Sequence, residues 1–218
     1  MHTLPPAGVE NQTYVSNLYL TLLDRQPDTQ GLNYYSGLLD AGGVSREEIV
    51  REITAGSEYH RDVVEEMYRT YLHRDADPGG LSTYMSFLGN GGSIETLREI
   101  LLSSKEYYVG RGGSTNDGYL AALYQDVFGR APDAVGLAGY QKLLTTGFSR
   151  GAVARAFIIS QEGSQDRVQQ IYQSLLVRPA ESGGLEAYSA ILMHGGSEDQ
   201  IVVALAGSPE MWAQPARQ

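Results

Sequence analysis

The sequence predicts an all-α protein built of four three-helix repeats, each roughly fifty residues long and arranged as two related halves. Three observations carry this expectation. Apolar residues recur at helical spacing, one turn motif returns four times, and no alternation of period two competes anywhere. In the first copy Val15, Leu18, Tyr19, Leu22 and Leu23 fall at i, i+3, i+4, i+7 and i+8. The same slots hold Val64, Met67, Tyr68, Tyr71 and Leu72, then Leu120, Leu123, Tyr124, Val127 and Phe128, then Val168, Ile171, Tyr172, Leu175 and Leu176. Every one is apolar or aromatic, which defines the first helix of each repeat.

A turn follows each first helix. Its Arg, acid, Gly, Leu and Tyr are Arg25, Asp28, Gly31, Leu32 and Tyr35 in the first copy and Arg74, Asp77, Gly80, Leu81 and Tyr84 in the second. The third has Arg130, Asp133, Gly136, Leu137 and Tyr140, and the fourth Arg178, Glu181, Gly184, Leu185 and Tyr188. Asp suits a helix N-cap because its carboxylate accepts from the unpaired first-turn amides. Pro27 and Pro132 stop the preceding helix. Glu181 caps less well, so the fourth turn should be the loosest.

The second helix should end at Gly42-Gly43, Gly91-Gly92, Gly147 and Gly195-Gly196, where glycine tolerates a left-handed stop. Ser45, Ser93, Ser149 and Ser197 then open a third helix, with Ser45–Glu48 and Ser197–Gln200 as capping boxes. Ile49 and Ile53, Leu97 and Leu101, Val153 and Phe157, and Ile201 and Leu205 should point inward. This helix is expected to close on Ser57-Glu58-Tyr59, Lys105-Glu106-Tyr107, Gln161-Glu162-Gly163 and Pro209-Glu210-Met211. The expected organisation is a flexible arm over 1–11, one half over 12–109, a Gly-rich linker over 110–118 and a second half over 119–213. Trp212 is expected to seal the last repeat.

Composition bounds the function. The 218 residues carry a net charge of −10, and an acidic chain argues against nucleic-acid or anionic-membrane binding. No apolar run approaches a membrane span, so no insertion is expected. The opening Met1–Pro6 lacks a signal-peptide pattern, which leaves a removed signal, a cytoplasmic protein or another export signal open. Absence of cysteine excludes disulfides, thiolate metal sites and a Cys nucleophile. Fifteen Tyr against one Trp and four Phe suit half-buried positions, where the ring packs and the hydroxyl stays wet.

The stretch Leu18-Tyr19, Arg25, Pro27-Asp28, Gly31-Leu32, Tyr34-Tyr35, with Leu123-Tyr124 and Arg130 to Tyr140, resembles the bacterial domain of unknown function 4214 family, which is similar to the helical linker domains of phycobilisomes. The likeness covers about residues 12–212, and Tyr35, Tyr84, Tyr140 and Tyr188 stand where that family has Trp. It implies an exported or surface protein of bacteria, found beside calcium-binding repeats, adhesins or glycan-active enzymes, and it brings no catalytic residue.

Three functions remain open from the residues. The leading one is a non-enzymatic binding or assembly module acting on a glycan or protein surface, extracellular or on the cell surface of a bacterium. The second is a glycan-binding module whose charged turns grip hydroxyls while Tyr stacks. Its residues are Arg25, Asp28, Tyr34 and Tyr35, Arg74, Asp77 and Tyr84, Arg130, Asp133 and Tyr140, and Arg178, Glu181 and Tyr188. The third is an enzyme using acidic side chains between the halves, which calls for paired carboxyls with raised pKa. Against ligand binding stands the plainer reading that fourfold repetition only builds the turn. Asp75-Ala76-Asp77-Pro78-Gly79-Gly80 lacks the fifth- and twelfth-position ligands of a calcium loop, so only incidental calcium is expected there. His2, His60, His73 and His194 show no metal spacing, no nucleophile elbow or phosphate loop occurs, and no cofactor is expected.

Overall fold

The computed structural model describes residues 7–217, and all regular structure among them is helical. In chain order the helices are α1 (Ala7–Leu23), α2 (Thr29–Asp40), α3 (Arg46–Thr54), α4 (Ser57–Met67), α5 (Pro78–Gly89), α6 (Ile94–Ser103) and α7 (Lys105–Gly110). There follow α8 (Asn116–Phe128), α9 (Ala134–Thr145), α10 (Arg150–Ile158), α11 (Gln161–Leu176), α12 (Ser182–Met193), α13 (Glu198–Ala206) and α14 (Pro209–Trp212). A π-helical turn, Tyr68–Leu72, continues α4. Among the described residues no helix is long and apolar enough to cross a membrane.

The apolar slots of the first helices form the core. All are buried except Leu72, Val127 and Phe128, which are half-buried. The inward pairs of the third helices, from Ile49 and Ile53 to Ile201 and Leu205, are buried as well. Second helices pack more lightly, and α9 buries no residue fully. Their glycine stops are left-handed as expected, with φ of 66° at Gly42, 88° at Gly91, 99° at Gly147 and 87° at Gly195. Ser45 and Glu48 complete the capping box of α3.

The chain divides into two compact units. The first holds the described residues up to 60, residues 169–180 and those from 199 onward. Within it α1 is stitched to the C-terminal segment. The buried Tyr14 hydroxyl donates to the Ala206 carbonyl at 2.9 Å, and the Asn17 side chain reaches the Pro215 carbonyl at 3.1 Å and the Arg217 amide at 2.9 Å. The expected arm is overturned in its described part, because α1 already begins at Ala7. Asn11 supplies the reason: it donates to Asp40 at 2.7 Å and accepts from the Trp212 indole at 3.1 Å. Residues 1–6 of that arm lie outside the described residues. Trp212 thus packs on the first helix and carries the Arg46 guanidinium 5.6 Å from its ring centre.

The second unit holds residues 61–168 and 181–198. Here α6 packs on α10, and Tyr124, Phe128, Tyr140 and Phe157 form an aromatic cluster with Phe128 stacked on Phe157 at 5.0 Å. Segment 110–118, expected as a flexible linker, is instead the last residue of α7, a short hydrogen-bonded turn and the start of α8. The Arg111 and Gly112 amides both donate to the Tyr107 carbonyl, at 2.9 and 3.1 Å. The Tyr108 hydroxyl donates to the Ser114 carbonyl at 2.9 Å. Glycine is required at 112, because a Cβ there would stand 2.7 Å from the Tyr108 carbonyl oxygen and 2.9 Å from the Tyr119 Cα. Arg111 also closes on Asp126, with Nη2 donating at 2.6 Å.

Candidate functional site

The four repeated turns share one geometry, built from the end of each first helix. The residue before each Arg is left-handed, with φ of 49° at Asp24, 55° at His73, 65° at Gly129 and 55° at Val177. That reversal brings the following Arg back over the helix it has just left. Its guanidinium lies 5.1, 4.9, 5.1 and 5.2 Å from the ring centres of Tyr19, Tyr68, Tyr124 and Tyr172 respectively. Each Nη1 donates to the carbonyl of the next residue, at 2.9 to 3.1 Å.

The rest of each guanidinium fork closes on a glutamate 32 or 33 residues later. Arg25 holds Glu58 with Nη2 at 2.8 Å, and Arg74 holds Glu106 with Nε at 2.5 Å and Nη2 at 2.9 Å. Arg130 holds Glu162 at 2.6 and 2.8 Å, and Arg178 holds Glu210 at 2.5 and 2.7 Å. Both oxygens of each carboxylate are engaged, the strong bidentate form of the pair. The hydrogen bonds from Arg25, Arg74 and Arg130 hold the Glu58, Glu106 and Glu162 carboxyls below the usual range.

These glutamates correct one expectation. The tripeptides around them do not end the third helices. They open α4, α7, α11 and α14. Ser104 and Ser208 cap α7 and α14, and the Ser160 hydroxyl accepts from the Gly163 amide at the start of α11. Each Glu therefore sits in a first helical turn, where its charge also complements the helix dipole. The fixed spacing from Arg to Glu was the sequence signal for this partner.

The remaining turn residues have equally local roles. Asp28, Asp77 and Asp133 accept from the Gly31, Gly80 and Gly136 amides at 2.8, 2.9 and 2.8 Å. Those amides hold Asp77 and Asp133 low. Glu181 has the N-cap backbone of α12 but makes no side-chain capping bond, as its poorer fit implied. The glycines answer to the tyrosines. A Cβ at Gly31, Gly80 or Gly136 would stand 2.6, 2.2 or 2.1 Å from the hydroxyl of Tyr19, Tyr68 or Tyr124.

Tyr35, Tyr84 and Tyr140 lie against those same rings, each 6.2 Å centre to centre, and the Tyr35 hydroxyl donates to Glu52 at 3.1 Å. Tyr188 is half-buried, and burial raises its hydroxyl pKa. Tyr34 is different: it is 53% exposed and touches Tyr35 edge-on at 5.0 Å. Asp75 pairs with Arg69 at 2.7 Å, while Asp77 caps α5. No group of three or more His, Asp or Glu among the described residues is placed to hold a metal ion. Burial raises the Asp166 carboxyl, helped by Glu162, although Glu162 itself is held low by Arg130.

Sequence reasoning missed one buried charge cluster in the second unit. Glu198, 1% exposed, takes Arg98 on one oxygen and Arg167 on the other, the latter at 2.6 Å. Arg98 Nε donates to the Tyr71 hydroxyl at 2.8 Å, and Glu95 accepts from the Glu198 amide at 2.5 Å. Burial alone would push the Glu198 carboxyl up. The Arg167 and Arg98 charges outweigh it and hold the carboxyl at about 2.

Fold and site together define an all-helical protein whose repeated turn is an arginine–glutamate clasp over a tyrosine. The family model described as Domain of unknown function (DUF4214) matches residues 5–63 and 98–167, more than half of the chain, and the chain belongs to that family. No curated protein and no solved structure matches it.

Proposed function

We propose that the chain is a non-enzymatic binding or assembly module of an exported or cell-surface bacterial protein. One observation supports this reading above others: the recurring charges serve the frame, while the residues that face outward differ from copy to copy. Every clasp arginine is engaged by a glutamate and a carbonyl. On the outer faces of the second helices, by contrast, Tyr34 aligns with Thr83, Gly139 and Ala187. Val135, 84% exposed, aligns with Gln30, Gly79 and Gly183. A rigid frame with a divergent exterior is what selective surface recognition requires, since ordering costs are met before binding.

The test is saturable binding of the purified chain to bacterial envelope polysaccharide and envelope protein, measured by calorimetry with and without Tyr34→Ala and Val135→Ser. Both substitutions lie on the surface and should leave the thermal midpoint unchanged while weakening binding several-fold. Binding indifferent to both, or catalytic turnover of a substrate by the purified chain, would refute the reading.

A further inference from the structure

Two places in the chain are built from the same aligned residues and finished differently. Arg46 and Arg150 each follow the serine cap of a third helix; Trp212 and Tyr108 each stand two residues after a clasp glutamate. Gly207 and Ser103 each stand three residues before one. In the first unit this trio is closed. Arg46 lies over Trp212 and donates Nε to the Gly207 carbonyl at 3.1 Å. The neighbouring Glu47 side chain lies against Gly207, so that a Cβ there would stand 2.7 Å from Glu47 Cγ.

In the second unit the trio is open. Arg150 lies over Tyr108 at 4.3 Å, closer than its counterpart. Its Nε is shielded from solvent and has no hydrogen-bond partner. Its Nη atoms are not shielded in this way, and the residue as a whole is half-buried. Glu47 is replaced by Gly151, which removes both the carboxylate and the bulk beside this cation. A cavity of about 440 Å³ takes up the space, lined by Arg150, Ser103, Ser149, Asn116, Leu144 and Phe148. Glu99 Oε1 would stand 3.4 Å from a Cβ at Gly151, and its other oxygen accepts from Arg155 Nη1 at 3.5 Å.

A shielded Nε without an acceptor is costly, and a carboxylate, which can take Nε and Nη together, is the group that satisfies a guanidinium best. Hydroxyl and amide side chains at Ser103, Ser149 and Asn116 suit a hydroxylated ligand. Phe148, 54% exposed, offers a flat apolar face for a sugar ring. The volume falls in the range of small-ligand sites.

We propose that this cavity binds a hexuronic acid, free or as a residue of an acidic polysaccharide, with its carboxylate on Arg150 and its ring against Phe148. The proposal rests on the binding-module reading and names a ligand class for it. The test is calorimetric titration of the whole chain with methyl glucuronide and methyl galacturonide. The comparison probes are the uncharged methyl esters of both, sodium acetate, and N-acetylglutamate amide. At least one uronide should bind roughly tenfold more tightly than its own ester and than acetate, the scale of a charge-assisted bond. The ester comparison needs no variant, so a misfolded mutant cannot obscure it. Arg150→Gln should abolish the preference for uronide over ester, and Phe148→Ala should weaken both ligands together. The proposal falls if neither uronide binds saturably, if ester and uronide bind alike, if Arg150→Gln keeps the preference, or if the glutamate probe binds more tightly than either uronide. A chain that fails these tests yet binds envelope protein through Tyr34 or Val135 refutes the cavity ligand while the module reading stands.

Discussion

Replacing Glu198 by glutamine removes a carboxylate charge that the side chains of Arg98 and Arg167 share, while keeping the shape of the side chain. The cluster is almost dry: Arg98 is 8% and Glu198 1% exposed by side chain. Two routes give the magnitude. A carboxyl held at about 2 instead of the ordinary 4.5 corresponds to roughly 3 kcal/mol of stability near neutral pH. Breaking a buried ion pair by removing one partner costs about 3–5 kcal/mol in general, because the remaining charges are left uncompensated. The sign in pH follows from the depressed folded pKa. The contribution is complete above about 4.5 and drains away as pH falls through the folded value near 2. Urea unfolding followed by circular dichroism, at neutral pH and near pH 3, measures both effects. Glu198→Gln should lose roughly 3 kcal/mol at neutral pH, and the gap from the parent should narrow in acid. A variant with the parent's midpoint at neutral pH, or a gap independent of pH, would refute the role assigned to this cluster.

Three further outcomes are expected. Gly136→Ala should cost about 1–3 kcal/mol, because its Cβ meets the hydroxyl of a Tyr124 ring wedged between Phe128 and Phe157. Adding Tyr124→Phe should return most of that loss, and thermal melts of the double-mutant cycle check it. Val177→Gly should stabilise the chain by about 1 kcal/mol, since a β-branched residue is held at φ 55° and is too exposed to lose much packing. An unchanged or lowered thermal midpoint would contradict the strain. Glu58→Gln should cost no more than about 1 kcal/mol in urea titrations, because its partly exposed pair with Arg25 is screened. Added salt should shrink that difference.

The helices and their core were legible because a 3.6-residue period writes itself into the positions of Val15, Leu18, Tyr19 and their counterparts. Caps were legible for the same local reason. Asp28, Asp77 and Asp133 accept from amides three residues on, and Gly42 to Gly195 stop their helices with positive φ. The clasps were only half legible. Arg and acid were visible in every turn, but in three of them the acid three residues away serves mainly as a cap. The main partner, such as Glu162 for Arg130, lies across the second and third helices. A pattern read along the chain shows recurrence, not which recurrent groups a fold brings together. Arg98 was hidden more completely, since its aligned positions hold Val50, Ala154 and Val202, all buried. Nothing local announces that one copy puts a cation where the others put an apolar side chain.

Departures from the repeat fall into two physical kinds. At Arg98 the intrusion of a buried charge is answered inside the same unit, by Glu198, Tyr71 and a second arginine sharing the carboxylate. Such a departure is complete in itself and bears on stability. At Arg150 the cation is kept and its aromatic platform is kept, but the acceptor found by Arg46 and the side chain of Glu47 are both missing. That departure leaves Arg150 Nε unanswered among the described residues. Burying a polar group without a partner is unfavourable. A fold able to close the site in one copy, and open in another, is better explained by a partner from outside than by a failure to pack. The same distinction applies to the surface. Tyr34 and Val135 project from second helices whose clasps are already closed, so neither side chain is needed to hold the frame. If the chain is the binding module proposed above, recognition is to be sought at Arg150, Phe148, Tyr34 and Val135, because the clasp arginines are already engaged within their own turns.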